Sequence, residues 1–246
     1  MDKNDNGATI KTLADYGYRR IRADILHGRI AAGVKLPLEK LSREYDIGMS
    51  PLREALTRLV GDALVVSEGQ RGFWVAPLSL AEFHDITRVR NLLETEALQL
   101  SIQRGGREWE EAVSRAFEEL SATEARMQAG GDDLLSQWEE HNRRFHEALI
   151  SACDSPWLKR LLGQLYHQSE RYRRISLVSS PADRCVKDEH HAIFEAAMQR
   201  QVLKTCRLME FHLNRTTQAV SDALQRGEVL KLAELAGKPP RKVKAG

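Results

Sequence analysis

Ser50-Pro51-Leu52-Arg53-Glu54-Ala55-Leu56-Thr57-Arg58-Leu59 is the stretch whose reading decides the fold. Leu52, Ala55, Leu56 and Leu59 recur at the three- and four-residue spacing of one helix face, which predicts a helix locked down along that stripe. Ser50 is the expected N-cap, because its hydroxyl accepts an orphan backbone N–H, and Pro51 suits the first helical position, where no donor is needed. Ser50, Arg53, Glu54 and Thr57 then fall on the opposite face. Upstream, Asp46-Ile47-Gly48 reads as a tight break. Before it, Pro37 opens a short helix carrying Leu38, Leu41 and Tyr45. Earlier still, Tyr18, Ile21 and Ile25 predict a helix from about Lys11 to His27, closed by Gly28 and Gly33. Downstream, Ala63 to Val66 and Gly72 to Ala76 are short strand-like runs around Ser67-Glu68-Gly69-Gln70-Arg71, a predicted hairpin with a glycine-bearing tip.

Helix, short helix, break, helix and hairpin is the order of a winged helix-turn-helix. Such a module inserts one helix into the major groove and offers its N-terminal residues to base edges and phosphates. Arg53 is placed for bidentate contacts, and Arg71 beside Gly72 lets the hairpin approach a duplex closely. Periodicity alone fits a helical bundle with a solvated arginine face equally well.

Beyond Pro77 the character changes. No strand pattern appears from Ser79 to about Gln225. Long amphipathic segments are separated by Gly105-Gly106, Gly130-Gly131, Ser155-Pro156 and Ser179-Ser180-Pro181, which predicts about six antiparallel helices. The expected fold is therefore mainly α: a winged helix-turn-helix of three helices and a β-hairpin over 9–77, an all-α bundle over 78–227, and a disordered Pro- and Lys-rich tail over 228–246.

Three bundle segments carry histidines on apolar stripes. His146 shares its stripe with Trp138, Asn142, Phe145 and Leu149; His190 with Val186, Ile193, Phe194 and Ala197; His212 with Leu208, Met209 and Thr216. Three inward imidazoles from three helices suit a divalent metal with open positions for a ligand. Taken singly, each fits a satisfied core histidine as well. His141 and His191 adjoin the candidates and are expected to be more exposed.

Charge adds little. Residues 1–78 hold 12 Lys+Arg against 10 Asp+Glu, and the remainder of the 246-residue chain balances 25 against 25. DNA affinity must therefore come from a local patch. No apolar run approaches the roughly 20 residues of a membrane helix. Cys153, Cys185 and Cys206 are odd in number and far apart, which points to a reducing cytoplasm. A metal-dependent bundle enzyme and a helical interaction protein are the rival readings. Against the enzyme, the chain has no Glu-x-x-His pair, His-Glu-x-x-His, GxSxG or P-loop.

The wording of the segments narrows the choice. Gly33-Val34-Lys35-Leu36-Pro37, Leu41-Ser42-Arg43-Glu44-Tyr45-Asp46-Ile47, the Ser50–Leu59 stretch and Gly69-Gln70-Arg71-Gly72-Phe73-Trp74-Val75 together resemble the GntR family of bacterial transcription regulators. Asp85 to Glu94 and the helices around His146, His190 and His212 resemble the all-helical FadR-type effector domain, FCD. The resemblance implies a cytoplasmic homodimer that binds a pseudo-palindromic operator in double-stranded DNA, usually as a repressor. The DNA-contacting residues would be Arg43, Ser50, Pro51, Arg53, Thr57, Arg58, Arg71 and Gly72. It implies a metal site of Asn142, His146, His190 and His212 holding Zn2+ or Ni2+. A small carboxylate effector would bind there, with Arg90 and Arg173 as its cationic contacts. Gly105 to Glu110 and Glu170 to Arg174 are similar to carbon-starvation regulators that respond to glutarate or 2-hydroxyglutarate, which points to a dicarboxylate. Two departures stand out. Gly48-Met49 replaces the family's usual Ser-Arg, so its usual operator is not expected. Asn142 replaces the usual Asp, offering a neutral oxygen to a cation.

Overall fold

The computed structural model describes residues 12–128, 134–179 and 184–226. The expected tail and the breaks at Gly130-Gly131 and Ser180-Pro181 lie outside the described residues. The chain divides into two compact units, whose described parts span 12–78 and 79–226.

The first unit holds α1 (Leu13–Leu26), β1 (Lys35–Leu36), α2 (Leu38–Tyr45), α3 (Met49–Gly61), β2 (Val65–Ser67) and β3 (Phe73–Val75). Thr12 caps α1 by accepting the Asp15 N–H at 3.1 Å. Gly17 lets α1 pack closely on α3 and the turn before it, since a Cβ there would lie 3.4 Å from Ala55 Cβ and 2.8 Å from Ile47 Cδ1. Asp46 takes a left-handed conformation (φ 53°) and ends α2, a position that a short polar residue tolerates. The stripe of α3 is as expected: Leu52, Ala55, Leu56 and Leu59 are fully buried in a core with Ile21, Ile25, Leu41, Val65 and Val75. Each large side chain contributes about 1.5–3 kcal/mol by leaving water.

The start of α3 differs from expectation. The helix begins at Met49, with extended Gly48 as its N-cap and no side-chain cap. Ser50 and Pro51 thus sit inside the first turn, where the prolyl nitrogen replaces an amide that has no intrahelical partner anyway. The hairpin strands β2 and β3 pair antiparallel, with Val66 opposite Trp74, and β1 adds to the other edge of β3 through Lys35 and Trp74. A 3-10 turn, Gly69–Arg71, makes the tip. Gly72 follows at φ 116°, ψ −149°, a region open essentially to glycine alone.

The described residues of the second unit hold helices and no strand: α4 (Leu80–Arg104), α5 (Arg107–Gln128), α6 (Leu135–Leu149), α7 (Pro156–Ser179), α8 (Val186–Met198) and α9 (Val202–Gln225). Helix α9 packs against α4, α7 and α8, while α5 packs against α6 and α8. Helices α4 and α9 run antiparallel, since Thr87 meets Thr217 at 2.8 Å and Asn91 meets Asn214 at 3.1 Å. Leu98, Leu120, Phe145, Leu149 and Ile193 are fully buried in the shared core. None of the described helices is long and apolar enough to cross a membrane.

Candidate functional site

Two groups of sequence-selected residues fall in separate units. In the first, burial of the α3 stripe turns Ser50, Arg53, Glu54 and Thr57 outward. Arg53 is exposed and has no side-chain partner among the described residues. The Thr57 hydroxyl donates to the Arg53 carbonyl at 2.9 Å. Arg43 is exposed on α2, its Nε donating to the Glu39 carbonyl at 3.3 Å. Arg58 is held within its own unit: it pairs with Asp15 at 2.5 Å and lies 4.3 Å over the Tyr18 ring. Arg71 at the hairpin tip is 82% exposed, with a distant contact to Glu68 at 3.9 Å. The face therefore presents Arg53, Arg43 and Arg71 to solvent, with Arg58 committed behind them.

In the second unit, α6, α8 and α9 bring His146, His190 and His212 together. All three are buried, and one nitrogen from each lies within 4.8 Å of the others. Asn142, one turn before His146, is 1% exposed. His141 and His191 stay outside the cluster: His141 meets Thr123 at 2.8 Å, and His191 pairs with Glu195 on the surface at 3.2 Å.

Carboxylates set the direction of two rings. His190 Nδ1 lies 2.7 Å from Glu124 Oε1, and His212 Nδ1 lies 2.8 Å from Glu189 Oε2. With the Nδ1 proton donated outward, each Nε2 lone pair faces the cluster. Glu124 is fixed in turn by Trp138 Nε1 at 3.2 Å, and Glu189 by Arg184 at 2.8 Å. Burial pushes His146 down to about 4 and His212 down to about 3, outweighing the opposite pull of Glu94 and Glu189. Both rings are therefore neutral near pH 7, the form that ligates metals. Glu94 and Glu189 remain ionised despite their burial. Arg90 and His146 draw Glu94 down to about 2, and Arg184 and His212 do the same for Glu189. Because His146 is neutral near pH 7, Arg90 dominates at Glu94.

The donor set fits a divalent ion. His190 Nε2, His146 Nδ1 and Asn142 Oδ1 are buried without a hydrogen-bond partner. Each such atom costs about 1–3 kcal/mol when left unpaired. The Asn142 Nδ2 donates to Tyr166 Oη at 2.6 Å, which leaves its Oδ1 for another partner. The triad can thus hold a metal ion, with Asn142 beside it.

Arg90 and Arg173 sit differently from the cationic contacts expected of them. Both are buried in internal pairs. Arg90 donates to Glu94 at 2.8 Å and to Ser169 at 3.2 Å. Arg173 is bound to Glu139 and Ser169 and stacks 3.6 Å over the Tyr166 ring. Neither lines the cavity of about 300 Å3 beside His146, whose walls include Glu94, Ile150, Lys159, Leu162 and Tyr166.

Sequence reading missed Glu94, Glu124 and Glu189. A signal for Glu124 was present: it continues the α5 stripe of Val113, Phe117 and Leu120. Glu94 follows Arg90 by four residues on the buried face of α4, the spacing of a helix ion pair.

Comparison with known proteins agrees with both halves. Residues 14–75 match the bacterial regulatory proteins of the gntR family, and residues 85–215 match the FCD domain. The chain is 40% identical over 213 residues to the HTH-type transcriptional regulator BphR of Paraburkholderia xenovorans strain LB400, covering 87% of each. It is 33% identical to the HTH-type transcriptional repressor GlaR of Escherichia coli K12, over 80% of this chain and 90% of that one. A solved GntR-family regulator from Pseudomonas syringae pv. tomato DC3000 superposes with a TM-score of 0.52 at 28% identity, covering 87% of this chain and 86% of that one. The fold alone is shared with E. coli McbR/YncC, at a TM-score of 0.67 and 19% identity over 89% of this chain and all of the other. These matches point to a regulator and away from an enzyme. An outward arginine face on a winged helix-turn-helix, followed by a helical unit built around three converging histidines, is thus the arrangement of a transcription regulator, and the chain belongs to the GntR family with an FCD effector domain.

Proposed function

We propose that this regulator is a cytoplasmic homodimeric repressor whose operator affinity is set by a small carboxylate, a dicarboxylate in class, bound at a Zn2+ or Ni2+ site in the FCD domain. The observation that carries the reading is the convergence of three buried imidazoles with unpartnered Asn142 Oδ1 and His190 Nε2. His146, His190, His212 and Asn142 would hold the ion. The bound ion would act as a Lewis acid, accepting a carboxylate oxygen in an open position. Nitrogen-rich ligation favours Zn2+ or Ni2+ over Mg2+ or Ca2+. The neutral Asn142 oxygen makes the site less anionic than an aspartate would, which suits an anionic ligand.

On the DNA side, Arg53, Ser50, Pro51 and Thr57 meet the major groove from the first turns of α3. Arg43, Arg71 and Gly72 contact the flanking backbone, and Arg58 contributes secondarily from its pair with Asp15. Two-fold pairing of subunits would match a pseudo-palindromic operator. Arg90 and Arg173 support the effector site from behind, by neutralising Glu94 and Glu139. If effector and operator favour different arrangements of the dimer, each must weaken the binding of the other by the same factor.

The test is fluorescence anisotropy on a duplex selected by the protein from a randomised library. Zinc-loaded protein should release the duplex as dicarboxylate is added, and protein stripped by chelator should not respond. Equal release with and without metal refutes the metal-dependent reading.

A further inference from the structure

Beside His146 the helical unit forms a half-open cavity of about 300 Å3, at the lower end of the range for small-molecule sites. His146 marks one part of its wall, Lys159 another, and Ile150, Leu162, Gly163 and Met209 give it an apolar surface. His146 Nδ1 is buried there without a hydrogen-bond partner.

The acidic groups on this wall are already matched. Glu94 pairs with Arg90 at 2.5 Å, and Glu147 pairs with Arg143 at 2.6 Å. Lys159 is the exception among the cavity's charges. Its Nζ meets only the Ser151 backbone carbonyl, at 3.4 Å, and it has no carboxylate partner among the described residues. An ammonium at the rim of an apolar cavity is a receptor for an anionic group brought in by a ligand.

Gly163 is the second unexplained feature. It lies inside α7, where glycine is less stable than alanine. Its conformation is helical, and a Cβ at this position would meet nothing within 4 Å. Neither backbone geometry nor packing requires glycine. What its missing side chain does is leave the cavity wall open.

We propose that Lys159 and Gly163 are the specificity-determining residues of this cavity. Lys159 pairs with an anionic group at the outer end of an elongated organic acid whose first carboxylate faces His146, and Gly163 leaves room for the chain between. The inference rests on the metal-and-carboxylate reading above and adds which residues select among acids.

Calorimetry on zinc-loaded full-length protein tests it, with succinate, glutarate and adipate as dianionic probes and butyrate and hexanoate as single-carboxylate probes. Wild-type protein should bind at least one dianion about tenfold or more tighter than the monoanions, as a charge-assisted hydrogen bond allows. Lys159→Met should abolish that preference and leave monoanion binding unchanged. Gly163→Leu should weaken every probe about tenfold or more. Gly163→Ala, which favours the helix, serves as the folded control with a smaller loss. Zinc binding should be unchanged in all three variants. Undiminished dianion preference in Lys159→Met, undiminished binding in Gly163→Leu, or failure of all five acids to bind wild-type protein overturns the proposal. Failure of wild-type protein to bind zinc overturns the metal reading instead; a Lys159-dependent preference for dianions in that protein would still support the assignment of the two residues.

Discussion

Replacing Arg53 with Ala separates DNA reading from folding. The side chain is exposed, has no partner among the described residues, and projects from a helix whose other face is fully buried. Its removal opens no cavity and strands no charge, so stability should change by less than about 0.5 kcal/mol. A bidentate arginine–guanine contact contributes about 1–3 kcal/mol of discrimination, or about 5- to 150-fold in affinity for one half-site. In a dimer on two separated half-sites the losses add, giving about 2–6 kcal/mol. The assay is anisotropy at fixed salt, on a duplex selected by the wild-type protein and on a scrambled duplex. The selected duplex should lose far more affinity than the scrambled one, while the thermal midpoint and zinc binding stay put. Wild-type affinity in the variant, or a loss accompanied by unfolding, would refute the assignment of Arg53 as a base reader.

Three further outcomes follow from the same geometry. Glu124→Gln keeps the shape beside His190 but removes the charge that holds its ring, and should weaken zinc binding about 10- to 100-fold by competition titration; unchanged affinity would remove Glu124 from the site. Leu56→Ala, at a fully buried α3 position, should cost the DNA-binding unit about 2–5 kcal/mol, seen as a lower urea midpoint. In metal-free protein, His146 and His212 titrate near 4 and 3 against 6.5 for the free side chain. The unfolded chain therefore binds more protons between these values, and stability should fall as pH drops below about 6.5. Glu94 and Glu189, held near 2 against 4.5, add a further loss below pH 4.5. A urea midpoint that stays flat between pH 7 and pH 4 would contradict this.

Much of this was legible in the chain because periodicity reports which side of a helix is buried. The stripe of Leu52, Leu56 and Leu59 announced α3, and the stripes through Phe145, Ile193 and Met209 announced the three inward histidines. Local backbone detail was less legible. Ser50 looked like a cap, yet extended Gly48 starts the helix two residues sooner. Strand β1 has two residues, too few to show a period. Partners across helices were hidden altogether. Arg173 shows its charge in the sequence, but the Glu139 that neutralises it lies 34 positions away on another helix. For the same reason Lys159, whose charge finds no such partner, was not distinguishable from any other surface lysine.

The most direct measurement of the metal site is inductively coupled plasma mass spectrometry on protein purified without a metal-affinity tag, dialysed with equimolar zinc, for wild type and His190→Ala. His190 is buried, so circular dichroism of the variant must first show the native helical signal. The account predicts about one zinc per chain in wild type and essentially none in the folded variant. Zinc-free wild-type protein, or a variant that retains the ion, would contradict it.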